Sequence, residues 1–230
     1  DVRSGKMVRG PQGAFKPLVA FTPSAPAGTR GVAVLAFDKD GWMDLAFTQA
    51  AAPALSLWRN VAGTSFEQVA LPPTTLSSGS GLAVVDYDND GWPDLFIANG
   101  AVNVIEAQRG QASPYRMKNQ LFRNTGERQF EETSAAGGAA FARAEISRGA
   151  AFGDIDNDGD VDCIVGELNG PINVLSNDKA GKDNGVEIEL FDRREKSMNR
   201  HGLGSRVELT IGQTTQRRWI YSGGGFQSAS

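Results

Sequence analysis

The chain has 230 residues, of which 40% are hydrophobic and 22% are charged, and its formal net charge is −4. This is the composition of a globular protein of one or two domains, which excludes a disordered chain. A slightly acidic chain without a basic stripe argues against nucleic-acid binding, and no apolar run reaches the roughly 18 residues that a membrane span requires.

Three copies of one pattern follow one another along the chain. Each copy is an apolar run, an acidic turn with a central glycine and a second apolar run, at residues 31–47, 81–97 and 149–165. The runs are too short for helices, so each copy predicts a strand, a tight turn and a second strand. An earlier apolar run at residues 15–21 corresponds to the run at 66–71, and we expect it to be the last strand of an incomplete unit.

Two further strands are predicted after each acidic turn. Residues 57–60 and 121–124 share the order Leu, aromatic, Arg, Asn, a phenylalanine follows each at the same distance, and residues 173–177 are a third version. We expect Trp58, in the first of these strands, to be a core residue. Copy two carries an insertion around residues 103–118, which predicts a surface loop. A repeat of about four strands is typical of a propeller blade.

The pattern changes near residue 186. Runs at 186–190, 206–211 and 216–221 alternate as half-buried antiparallel strands do, and the polar stretch 177–185 precedes them as a linker. We therefore divide the chain into propeller blades at residues 1–180 and a small antiparallel β module at 186–230. The predicted class is all-β, with about three four-stranded blades and one leading strand before the module.

The acidic turns carry carboxylates at alternate positions. Counted from the first acidic position, position 6 is glycine, which permits the positive φ that the reversal needs. Alternate side chains of a tight turn converge, so positions 1, 3, 5 and 9, with the carbonyl of position 7, are predicted oxygen ligands of a hard cation, Ca²⁺. Loop two supplies Asp86, Asp88, Asp90, Trp92 and Asp94. Loop three supplies Asp154, Asp156, Asp158, Asp160 and Asp162.

Loop one is the weakest of the three predicted sites. Ala36 stands at position 1, and the remaining candidates are Asp38, Asp40, Trp42 and Asp44. We therefore predict two strong Ca²⁺ sites and a weaker or water-completed one.

Loops of this composition also suggest an EF-hand or a metal-free acidic β-turn. An EF-hand requires Glu at position 12 and flanking helices, whereas Phe47, Ile97 and Val165 occupy that position between predicted strands. An acidic β-turn without a metal explains one such loop, since Asp and Gly are turn formers. Three such loops at equivalent positions of the repeat favour a metal site over a metal-free turn. Cys163, the single cysteine, lies in an apolar run after loop three and is predicted to be a small buried apolar residue.

These residues resemble a known family. The Asp loops, each followed by a Leu-Phe-Arg-Asn-like strand and a Phe strand, resemble the FG-GAP/VCBS repeats of integrin-α-like β-propellers. Residues 199–207 and 222–228 resemble the ASPIC/UnbV domain of cartilage-acidic-protein-like and bacterial secreted proteins. The resemblance implies a secreted or cell-surface, calcium-loaded propeller, often seven-bladed, with the Asp residues named above as ligands. Three blades and a strand do not close a ring, so we expect a chain cut at both ends or open edges that pair with another chain.

Three classes of function follow from these features. The first is an extracellular calcium-stabilised module for adhesion, protein interaction or scaffolding, whose partner is a protein or glycan surface. The second is a structural subunit of an extracellular polymer, assembled through open sheet edges. The third, a polysaccharide-active enzyme, is disfavoured because the Asp residues are explained as ligands and His201, the single histidine, lies in a glycine-rich turn. We predict neither catalytic residues nor an organic cofactor.

Overall fold

The computed structural model describes residues 28–50, 52–71, 76, 78–101 and 116–178, and toward the C-terminus 188, 190, 191, 193, 199, 201–212 and 214–220. These residues form several antiparallel β-sheets, which confirms the predicted all-β class and the partial propeller. The leading strand predicted at 15–21 and most of the insertion around 103–118 lie outside the described residues.

The first two blades are four-stranded meanders. The first blade is built from β1 (Thr29–Leu35), β2 (Asp44–Gln49), β3 (Leu55–Val61) and β4 (Ser65–Val69), paired in that order. The next strands are β5 (Gly81–Val85), β6 (Asp94–Ala98), β7 (Met117–Lys118), β8 (Gln120–Asn124) and β9 (Phe130–Glu132). The second blade is the sheet β5-β6-β8-β9, and β7 pairs elsewhere.

The third blade has three strands within the described residues. It follows β10 (Ala144–Glu145), which pairs with β7, and consists of β11 (Ser147–Gly153), β12 (Asp162–Glu167) and β13 (Asn173–Leu175). In the C-terminal module, β14 (Arg206–Ile211) and β15 (Thr214–Trp219) form a hairpin. The strand predicted at 186–190 lies mostly outside the described residues.

Apolar side chains fill the space between neighbouring blades. Between blades one and two, Phe37 stacks on Phe130 with ring centroids 5.4 Å apart, and both rings are buried. Between blades two and three, Phe96 meets Phe152 edge to face at 5.6 Å. Burial of such side chains contributes roughly 1.5–3 kcal/mol each, so the blades hold together mainly by packing face to face.

Two predictions about buried residues are confirmed. Trp58 is 3% exposed in the core of blade one. Cys163 is 8% exposed between blades two and three, and burial raises the pKa of its thiol to about 12.

A short helical segment that the sequence does not predict covers the second and third blades. It comprises a 3₁₀ turn at Ser134–Ala136 and the helix α1 (Ala139–Ala142), and Phe141 of α1 packs edge to face on Phe96 at 5.9 Å. Neither has the length that gives a helical period in sequence. None of the described helices is long and apolar enough to cross a membrane.

Candidate metal centres

The three Asp loops occupy equivalent places in the fold. Each joins the first and second strands of its blade, that is β1 to β2, β5 to β6, and β11 to β12. The glycine at position 6 has a φ between +84° and +98° in Gly41, Gly91 and Gly159, as the sequence predicts. Position 4 is also left-handed, with φ between +54° and +59° at Lys39, Asn89 and Asn157. Asparagine tolerates this conformation better than most residues, which explains its use in two of the loops.

The position-9 aspartate fastens each loop to the third strand of its blade. In loop two Asp94 is fully buried; its Oδ2 accepts from the Tyr87 amide at 3.1 Å and its Oδ1 from the Asn124 amide at 2.7 Å. Asp44 and Asp162 accept the equivalent two hydrogen bonds. Because the carboxylate bridges two segments that are distant in sequence, it fixes where the loop sits on the sheet.

Carboxylates from positions 1, 3 and 9 converge in two of the loops. The oxygens offered by Asp86, Asp88 and Asp94 all lie within 4.8 Å of one another. Asp154, Asp156 and Asp162 form the equivalent group in loop three. Loop one has Ala36 at position 1, and the described residues bring no third carboxylate into its place. Three convergent carboxylate oxygens are the beginning of a hard-cation site, to which carbonyls and waters add further ligands.

The position-5 aspartates do not join these groups. Asp90 Oδ1 accepts from the Trp92 amide at 2.8 Å, and Asp40 and Asp158 make the same contact with position 7 at 2.9 Å. The structure thus brings positions 1 and 3 together with position 9, while the position-5 carboxylate accepts a hydrogen bond within its own turn; the assignment of these residues as Ca²⁺ ligands stays a prediction. At position 7 of loop three, the buried Asp160 side chain accepts from Asn89 of loop two at 3.0 Å.

In blades one and two, an arginine of the third strand pairs with the Asp loop of its own blade. In loop two Arg123 Nε donates to Asp88 Oδ2 at 2.6 Å, and its Nη2 donates to Asp90 Oδ2 at 2.9 Å. In loop one Arg59 makes the same two contacts at 2.6 and 2.8 Å. The corresponding residue of β13 and its extension is Ser176, so loop three has no such pairing at this position.

The loop-two site has the electrostatic properties that a cation would satisfy. The Asp88 side chain is 8% exposed, and no donor among the described residues reaches its Oδ1. Burial raises the pKa of Asp94 to about 8 and that of Asp44 to about 6, against the hydrogen bonds from backbone amides, which lower the pKa of each. A divalent cation beside these groups favours their ionised forms, so the residues present fit the ion.

Sequence reasoning missed the residues that support the carboxylates. These are the arginines and asparagines that lie at or near the ends of the third strands, Arg59, Asn60, Arg123, Asn124 and Asn177. The signal was present, since an Arg-Asn pair recurs at a fixed place in copies one and two. Its meaning was hidden because the partners lie in a loop that only the sheet brings alongside.

Asp-loop hairpins on successive antiparallel blades define a β-propeller repeat protein. The family model of the FG-GAP-like repeat matches residues 37–97 and 99–186, more than half of the chain, and the chain belongs to this family. The model described as ASPIC and UnbV matches residues 195–230. Both matches confirm the resemblance, whereas the boundaries at 180 and 186 stay a prediction. No curated protein matches the chain. FG-GAP repeats are typically extracellular, and the two domains together indicate a β-propeller-like protein-interaction module.

Proposed function

We propose that this protein is a non-catalytic, calcium-dependent binding module that works outside the cell or at its surface. The observation that carries the proposal is the pair of convergent carboxylate groups at equivalent positions of two blades. Their oxygens, together with turn carbonyls and water, suit Ca²⁺ better than Mg²⁺, which holds its waters more tightly. Millimolar extracellular Ca²⁺ fills even weak sites of this kind.

The role we assign to the ion is structural. In loop two Asp86, Asp88 and Asp94 would hold it, and in loop three Asp154, Asp156 and Asp162 would do so. Asp94 already joins its loop to β8, so an ion at Asp94 would stiffen the contact between three strands of one blade. The chemistry that Ca²⁺ supplies is neutralisation of the clustered carboxylates, of which Asp94 and Asp162 are buried, and the blade surfaces remain to meet a protein or glycan partner.

Loop one is proposed as the weaker site. Within the part of the chain that the structure describes, Asp38 and Asp44 remain there without a third converging carboxylate, and the Asp38 Oδ2 atom contacts both Arg59 at 2.6 Å and Arg128 at 3.4 Å. Two guanidinium groups at one oxygen oppose the approach of a divalent cation by charge repulsion.

Calorimetric titration and thermal unfolding test the calcium proposal. The protein should bind Ca²⁺ at two sites more tightly than at the third, and EDTA should lower the Tm by about 5–10 °C, as expected for loss of a ligand present well above its Kd. Asp88→Asn should remove one tight site. The matched control is Glu67→Gln, which removes the same charge from an exposed position of β4. A Tm that EDTA leaves unchanged would refute the structural role.

A second candidate function is assembly with further sheets, since the outer faces of the described blades are apolar. Val32 and Val34 of β1 are 54% and 53% exposed, and Val174 of β13 is 60% exposed at the opposite end of the array. Such faces match the inter-blade surfaces that are buried between blades one, two and three. Electron microscopy of purified protein tests the polymer form: filaments support it, and uniform single particles refute it.

The absence of catalysis is part of the proposal. His201 is exposed in its turn, and the clustered carboxylates are assigned to the cation. Incubation with a panel of soluble polysaccharides, followed by reducing-end analysis, should show no cleavage. Release of new reducing ends would revive the enzyme alternative.

A further inference from the structure

We infer that Arg59 and Arg123 are fixed counter-cations of loops one and two, and that loop three, which has Ser176 in their place, depends most on a bound cation for its shape. The part of the inference that concerns the ion rests on the proposed calcium function. The part that concerns the arginines rests on the ion pairs of the structure. Arg123 spans Asp88 and Asp90 with two N–H groups at 2.6 and 2.9 Å. Such paired contacts fix a carboxylate in orientation as well as in charge.

The orientation of Asp88 shows what Arg123 does for the site. Arg123 Nε takes the Oδ2 atom of Asp88, and the side chain is only 8% exposed. The other oxygen, Oδ1, is buried and has no hydrogen-bond donor among the described residues. Arg123 therefore holds Asp88 in a fixed rotamer while leaving one oxygen for the group formed with Asp86 and Asp94. Arg123 is a positioning residue for a ligand and is not itself a ligand.

The formal charge of the loops rises in one direction along the chain. Loop one has three aspartates, two of which pair with arginine: Arg59 contacts Asp38 and Asp40, and Arg128 contacts Asp38. Loop two has four aspartates and Arg123. Loop three has five, and within the described part of the chain no Lys or Arg pairs with Asp154, Asp156 or Asp158.

Like charges this close repel one another; water screens the repulsion at Asp154 and Asp156, which are exposed, but not at the buried Asp162. The three loops therefore differ in how they meet the same electrostatic need. In loop one, arginine side chains supply most of the positive charge that the carboxylates need. In loop two, one arginine and an ion supply it, and in loop three the ion supplies it. The order predicts that calcium removal loosens loop three first and loop one least.

Hydrogen–deuterium exchange, resolved by peptide mass spectrometry, tests the inference on the full chain. It is measured in EGTA and in millimolar Ca²⁺ for the wild type and for Arg123→Ser, Ser176→Arg and Arg206→Ser. Arg206→Ser is the matched control, because Arg206 pairs with Glu208 in the C-terminal hairpin and is 38% exposed, as Arg123 is. Ser176 is exposed, so its replacement by arginine is compatible with folding.

In EGTA we expect exchange of loop-two amides to be on the order of tenfold faster in Arg123→Ser than in the wild type, the loss expected for partly exposed charge-assisted hydrogen bonds. Ser176→Arg should slow exchange of loop three by a similar factor and reduce its response to Ca²⁺. The wild type should show the largest calcium response in loop three and the smallest in loop one.

Two results separate failure of the inference from failure of the calcium proposal. If Arg123→Ser exchanges like Arg206→Ser in EGTA, and Ser176→Arg leaves loop three unchanged, the counter-cation role is wrong whatever Ca²⁺ does. If Ca²⁺ slows exchange in none of the wild-type loops, the ion dependence of loop three and the proposed function are both wrong. The effect of Arg123→Ser in EGTA then still decides the role of the arginine.

Discussion

The buried side-chain amide of Asn124 joins blade one to blade two through carbonyls of their Asp loops. Its Nδ2 donates to the Phe37 carbonyl of blade one at 3.0 Å and to the Pro93 carbonyl of its own blade at 3.3 Å. Its Oδ1 accepts from the Gly126 amide at 3.0 Å. Asn177 repeats the inter-blade contact by donating to the Tyr87 carbonyl at 2.7 Å, so this link between blades recurs with the repeat.

Replacement of Asn124 by alanine leaves two carbonyls and one amide without their partner. The site is fully buried, and each such group costs roughly 1 kcal/mol at the lower end of the measured range, which gives about 3 kcal/mol in the free energy of unfolding. Asn60→Ala is the matched control. Among the described residues Asn60, which is half-buried, makes the equivalent bonds to Met43 and Gly63 within its own blade and none to another blade, so we expect at most about 2 kcal/mol.

Urea unfolding, followed by tryptophan fluorescence and far-UV circular dichroism, measures both variants in saturating Ca²⁺. An unchanged m-value would show that the loss lies in stability and not in the extent of unfolding. The reasoning is refuted if Asn124→Ala lies within about 0.5 kcal/mol of the wild type, the usual range of a surface substitution. Equal losses for Asn124→Ala and Asn60→Ala would refute the inter-blade part alone.

Three further predictions concern single residues. Because burial raises the pKa of Asp94 from 3.8 to about 8, the folded state binds the extra proton between those values, so stability in EGTA should fall as pH rises through that window. Because protons compete with Ca²⁺ for this carboxylate, the stabilisation that Ca²⁺ provides should grow from pH 6 to about 8. In thermal melts, Asp94→Asn should lose this dependence of calcium stabilisation on pH. Gly126→Ala should lower stability by roughly 1–3 kcal/mol in urea titrations, since φ is +79° and a Cβ would lie 2.8 Å from Trp92 Nε1. Cys163 should resist thiol reagents in the native state and react in urea; fast native labelling would contradict its burial.

The sequence by itself determined the repeat, the class of fold and the position of the acidic turns. Short apolar runs and left-handed glycines such as Gly91 and Gly159 are local properties, since backbone sterics act within a few residues. The turn chemistry placed the loops between the first and second strands of each blade correctly. All six carboxylates of the two convergent groups were also named as candidates from spacing, because alternate residues of one turn lie close together in any fold.

Only the tertiary structure decided which contacts each of those carboxylates makes. The aspartate at position 9 accepts a hydrogen bond from the backbone amide of an asparagine, which is 16 residues away in blade one and 30 residues away in blade two. Position 5 turns to its own loop and to an arginine of the third strand. Spacing along the chain does not encode these contacts, because they form only when the third strand pairs with the second. The pairing also buries Asp94 and Asp88, and burial is what makes a counter-charge necessary there.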